Sequence, residues 1–159
     1  MLSVVVIIAV RCLLVALFLP FSALDKLLNF SQAVDQAAAA VPARWGATLL
    51  IWTGLGIEVV MSLAILTGVA DRLAAFILAG YCLITAVLWK RFWKAPDFRL
   101  KGPSRGREIF WDFLKNLALA AGFLLLTFGT DAAGAHRFWS HPLASTHPYA
   151  ALEQPDGSR

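Results

Sequence analysis

The stretch Leu49-Leu50-Ile51-Trp52-Thr53-Gly54-Leu55-Gly56-Ile57-Glu58-Val59-Val60-Met61-Ser62-Leu63-Ala64-Ile65-Leu66-Thr67-Gly68-Val69 contains a single ionisable side chain, Glu58, in a run that is otherwise apolar from Trp45 onward. A helix rising 1.5 Å per residue needs about 20 residues to cross roughly 30 Å of hydrocarbon. Residues 45–69 meet that length, and so, approximately, do residues 2–24, 73–89 and 109–129. In lipid the backbone must satisfy its own hydrogen bonds, and the chain lacks the alternating stretches of about ten residues that a membrane barrel requires. The expected fold class is therefore all-α, a four-helix transmembrane bundle over residues 1–129 followed by a polar, irregular tail over 130–159.

Composition agrees. Of 159 residues, 59% are apolar and 15% charged, against about 45–50% and about 25% in soluble domains. The length allows one domain, so a catalytic domain with a separate membrane anchor does not fit. Such a chain buries apolar surface wherever it can, which excludes disorder for most of it. Cys12 and Cys82, 70 positions apart in apolar runs, form neither a disulfide framework nor a redox pair. The net charge of +4 is concentrated in one connecting loop, a distribution that reflects topology and not nucleic-acid binding.

The first run has no basic residue before Arg11, is longer than a signal-peptide core, and lacks a small-x-small cleavage site after Pro20. It reads as a retained helix that bends near Pro20 and Ser22 and resumes through Asp25-Lys26-Leu27-Leu28-Asn29-Phe30. Four crossings put both termini and the 67–72 turn on one side, and the connections 25–44 and 90–108 on the other. The second side holds Lys26, Arg44, Lys90, Arg91, Lys94, Arg99, Lys101, Arg105 and Arg107, against Arg72, Arg137 and Arg159 on the first. The positive-inside bias makes the basic side cytoplasmic and the termini periplasmic in a bacterial inner membrane.

The loop Lys90-Arg91-Phe92-Trp93-Lys94-Ala95-Pro96-Asp97-Phe98-Arg99 interleaves aromatics with cations. It reads as a headgroup-depth segment in contact with anionic lipid, with a docking surface for a soluble partner as the alternative. Pro142, Pro148 and Pro155 interrupt the tail. Its histidines, His136, His141 and His147, lack the close pairings of zinc sites, so no metal is expected.

An ionisable group deep in a bilayer costs about 2.5–3.5 kcal/mol on insertion scales, so each one calls for a partner or a purpose. Arg11 lies about 15 residues from Lys26, and Glu58 about 13 from Trp45. If those two ends share a level, Arg11 and Glu58 meet at one depth and pair, with Tyr81 in the same layer. This cluster reads either as a lock on helix register or as a ligand site. Asp112, Lys115 and Asn116 share a face of the fourth helix at i, i+3 and i+4. Together with Asp25 and Lys26 they are candidates for holding a polar head group, or else Lys115 snorkels with Asp112 as its salt-bridge partner. No P-loop, dinucleotide, nucleophile-elbow or zinc-protease motif is present. No nucleotide is expected on that ground, and no haem, because every histidine lies beyond Thr130.

The order of features resembles the DoxX family. The resemblance rests on Arg11 with Asp25-Lys26-Leu27, on Gly56-Ile57-Glu58-Val59 followed by Leu66-Thr67-Gly68, and on the stretch from Phe110 to Gly122 with its Lys115-Asn116-Leu117-Ala118-Leu119 core. The family's usual glycine is replaced where Ala23 or Leu24 stands. The resemblance implies a subunit of a membrane oxidoreductase or electron-transfer system that handles or borders quinone between its helices, with the redox centre on a partner. Glu58, Arg11 and Tyr81 are then the candidate catalytic residues, and Asp25, Lys26, Asp112, Lys115 and Asn116 the candidate cofactor-binding ones. The alternative is a non-catalytic accessory or scaffold subunit. Expected partners are membrane lipids, other membrane or membrane-associated redox subunits and further copies of the chain. A transporter finds little support, since no inverted repeat or pair of broken segments is visible.

Overall fold

The first apolar run does not stop where its hydropathy falls. In the computed structural model, which describes residues 2–39, 41 and 43–150, helix α1 (Leu2–Val15) passes through a π-helical turn, Leu17–Ser22, into α2 (Ala23–Leu28). Pro20 sits inside that turn. Its ring removes an N–H donor and crowds the preceding turn, and the wider winding relieves both. The bend expected near Pro20 is thus a change of helical pitch. The break comes at Asn29, with φ −114° and ψ 38°, and α3 (Phe30–Ala38) carries the chain on.

α3 is amphipathic. Its Val34 and Ala37 cluster with Ala47 of α4 (Arg44–Thr67), while Phe30 stacks near Trp52 with ring centroids 5.2 Å apart. α3 therefore lies beside the opening turns of α4. A left-handed Gly68 (φ +80°) ends α4, and Ala70 (φ 48°) precedes α5 (Asp71–Trp89). A single 3-10 turn, Phe92–Lys94, and a loop lead to α6 (Arg105–Phe128), followed by α7 (Ala132–Ser140). No strand occurs among the described residues.

Four stretches are long and apolar enough to cross a membrane: Leu2–Leu28, Arg44–Thr67, Asp71–Lys94 and Arg105–Phe128. Their outer faces expose Leu2, Val5, Leu13, Leu63, Val87 and Leu125, apolar surface on a scale that water-soluble monomers rarely present. The chain is a multi-pass membrane protein with an all-α fold built on four spans. Val15, Phe18, Ile65, Leu78, Cys82 and Phe123 fill the centre together with Ala74, Ala75, Ala79 and Ala120. The alanines bring α5 and α6 into the most extensive helix contact of the fold, as small residues do where lipid supplies no hydrophobic drive.

At the basic end Phe92 packs against Trp93, Phe98, Phe110 and Phe113. Asp97 accepts from the N–H groups of Arg105 and Gly106 at 2.7 and 3.1 Å, and Ser104 Oγ accepts from that of Arg107 at 3.1 Å, which satisfies donors that a helix start otherwise leaves orphaned. At the other end the tail is more ordered than its composition implies. α7 buries Phe138 against Phe76 and Phe128; low mean hydropathy conceals one apolar stripe. Arg137 donates to both oxygens of Asp131 and holds that carboxyl below its usual range. Pro155, Arg159 and the rest of residues 151–159 lie outside the described residues.

A Cβ at Gly106 would lie 2.7 Å from the Phe98 Cα. Gly106→Ala therefore pushes on backbone and should cost about 1–3 kcal/mol. The expected result is a lower melting temperature in detergent with faster tryptic cleavage at Lys94, Arg99 and Lys101; an unchanged cleavage pattern would contradict the packed loop.

Candidate functional site

Glu58 lies on the buried face of α4, with Gly54 one turn before it and Ser62 one turn after. It is only 1% exposed. One carboxylate oxygen, Oε1, receives three donors: Lys26 Nζ at 2.6 Å, Tyr81 Oη at 2.8 Å and Ser22 Oγ at 3.1 Å. Lys26 Nζ also reaches Ser22 Oγ at 2.6 Å. The π-helical turn sets the phase of α2 behind it, so that Ser22 and Lys26, four apart, present one face to α4. Tyr81 comes from α5, and its hydroxyl fits because Gly54 has no side chain: a Cβ there would stand 3.1 Å from Oη. The second oxygen, Glu58 Oε2, is buried with no hydrogen-bond partner among the described residues, and so is Ser62 Oγ. Lys26 is partly exposed, its side chain at 18%.

A second buried ion pair sits toward the tail end. Arg11 Nη2 donates to Asp71 Oδ2 at 2.6 Å and to Thr146 Oγ1 at 2.6 Å, while Nη1 donates to the Ile65 carbonyl. Thr146 returns its backbone N–H to Asp71 Oδ1 at 2.9 Å and its hydroxyl to Oδ2 at 2.5 Å. Asp71 occupies the first turn of α5, where the helix dipole favours a carboxylate. Beside it Tyr149 donates to the Leu66 carbonyl, and a Cβ at Gly68 would meet Pro148 Cγ at 2.9 Å. The tail thus straps the α4–α5 turn and covers the Arg11–Asp71 pair.

The expected Arg11–Glu58 pair does not form, because each charge has another partner. The depth count takes Lys26 as the end of the first span, level with Trp45. The chain instead runs on past the break at Asn29 into α3, which lies beside the opening turns of α4, and Lys26 itself stands at the level of Glu58. Arg11 is then about 22 Å further along the helix axis. Tyr81 joins Glu58 as expected, without Arg11. Nor do Asp25, Lys26, Asp112, Lys115 and Asn116 gather into one head-group site. Lys26 turns inward, Asp25 accepts from Asn29 at 2.8 Å, and Asp112 pairs with Lys90 at 3.1 Å and Lys115 at 3.2 Å. Asn116 is half-buried and joins neither pair. Consecutive residues such as Asp25 and Lys26 point about 100° apart on a helix, so they rarely serve one site. Sequence reasoning missed Ser22, Ser62, Asp71 and Thr146; Asp71 was legible as a carboxylate at a helix start in the short turn behind Gly68.

A family model matches residues 6–91, more than half of the chain. The chain belongs to the DoxX family. Lys26, Glu58, Asp71 and Tyr81 of this DoxX protein lie inside the matched region, whereas Asp112, Lys115 and Asn116 lie beyond it. No curated protein and no solved structure matches the chain.

Breaking a buried pair by removing one charge costs about 3–5 kcal/mol, more than losing a neutral hydroxyl at about 1–3 kcal/mol. Arg11→Met should therefore lower the detergent melting temperature more than Thr146→Val does, and the double variant Arg11→Met, Asp71→Asn should recover part of the loss. Equal effects of the two single variants would argue against the strapped ion pair.

Proposed function

We propose that this membrane protein is a subunit of an electron-transfer system that borders quinone between its helices, with the redox centre on a partner. One observation carries the reading: Glu58 gathers three donors on Oε1 and leaves Oε2 buried and unpartnered at membrane depth. A buried acceptor without a partner is costly, and clusters of this kind inside membranes commonly mark ligand or proton sites. A quinone supplies chemistry in which protons accompany electrons. Glu58 Oε2 fits such a group as the atom that takes a proton from a ring hydroxyl or returns one to a ring oxygen. Lys26 Nζ, held by Ser22, offsets the carboxylate charge. Tyr81 fixes the orientation of the carboxylate through Oε1. Lateral access from lipid is consistent with the partial exposure of Lys26.

The accessory-subunit reading draws on the other pair. Arg11 and Asp71 satisfy each other and the tail, an arrangement suited to holding a bundle together rather than to chemistry.

Purification in native lipid discs, followed by organic extraction, tests the proposal. Wild-type protein should carry quinone, and Glu58→Gln should retain about a tenth as much or less per mole of folded protein, the effect of one strong hydrogen bond. Quinone absent from the wild type, with none bound on addition, would reject the quinone reading. A Glu58→Gln complex that assembles poorly yet keeps full turnover per assembled unit would favour the accessory role.

A further inference from the structure

Ser62 is fully buried, and its hydroxyl is the second unpartnered polar atom on the face of α4 that carries Glu58. A serine inside a helix ordinarily returns its hydroxyl to the carbonyl one turn back. Thr48, Thr67, Thr85 and Thr127 all do so here. Ser62 does not, although residue 58 stands one turn before it. Two orphaned atoms at i and i+4, both buried on the core-facing side of α4, are complementary in kind. Glu58 Oε2 lacks a donor, and Ser62 Oγ carries a proton to give.

We propose that Glu58 Oε2 and Ser62 Oγ together grip one hydroxyl oxygen, which donates its proton to the carboxylate and accepts the hydrogen of the serine. This deepens the quinone reading and rests on it for the identity of the larger ligand. The group bound is a phenol-type hydroxyl such as that of a hydroquinone, or a water of the same hydrogen-bonding capacity. Precedent lies in the same carboxylate, whose Oε1 already accepts the phenol of Tyr81 at 2.8 Å. On this account Ser62 positions the bound oxygen by donating to it, while Glu58 Oε2 favours ligands with a free hydroxyl over ethers of the same shape, since an ether leaves Oε2 without a donor.

The test uses wild type, Ser62→Ala and Ser62→Thr in lipid discs, with a short-chain hydroquinone and its dimethyl ether as probes. Wild type should bind the hydroquinone in preference to the ether. Ser62→Ala should weaken hydroquinone binding by about tenfold, and Ser62→Thr, which keeps the hydroxyl, should restore it. That result assigns the site to a phenol. If the hydroquinone does not bind, or binds equally to all three proteins, a structure in lipid decides: an ordered oxygen within hydrogen-bond distance of Oε2 and Oγ, lost in Ser62→Ala, upholds the grip with water in it, and the quinone reading fails only where no hydroquinone binds. Unchanged binding together with no such oxygen in the wild type overturns the proposal. Matching melting temperatures of the three proteins guard against a folding artefact.

Discussion

A charge inside hydrocarbon must meet its opposite, and this requirement sets the relative heights of the spans. The Lys26–Glu58 pair ties the first span to the second at one level, and the Arg11–Asp71 pair ties the first to the third at another. Two ties at different heights constrain both slide and rotation of α1 and α2, which apolar packing against lipid-like neighbours does only weakly. The alanine-lined contact of α5 with α6 then closes the bundle around Phe123.

The two pairs differ in how fully they are satisfied. Asp71 has donors on both oxygens and is covered by the tail. Glu58 is saturated on one oxygen and bare on the other, with bare Ser62 nearby. Buried polar groups left incomplete are rare in folded proteins; of the three among the described residues, Glu58 Oε2 and Ser62 Oγ fall on one face of α4, and Arg72 Nε lies on α5. The asymmetry distinguishes a saturated fastening from an incomplete cluster within a single small bundle.

Much of the architecture was legible from hydropathy alone, since four runs of the right length leave few alternatives. The polar residues of the mid-membrane cluster were also legible, because Glu58 and Tyr81 stand out in apolar surroundings. Their pairing was not. Depth measured from the end of a hydrophobic run assumes that the run ends level with the start of the next, and here α3, polar on one face, runs on beside the opening turns of α4, so that Lys26 meets Glu58 instead of Trp45. Ser22 and Ser62 were invisible for a different reason: a serine is too common in helices to signal anything until its neighbours are known. Thr146 lies 75 positions from the carboxylate it serves, a separation that no local pattern records.

The strap at Thr146 also orders the events of biosynthesis. Arg11 leaves the ribosome early, Asp71 only after two spans are complete, and Thr146 only after the fourth. Until that segment arrives, the buried carboxylate lacks two of its donors, so the nascent bundle remains loosely fastened while the fourth span integrates. Delivery of the last crossing and tightening of the assembly are thereby made to coincide.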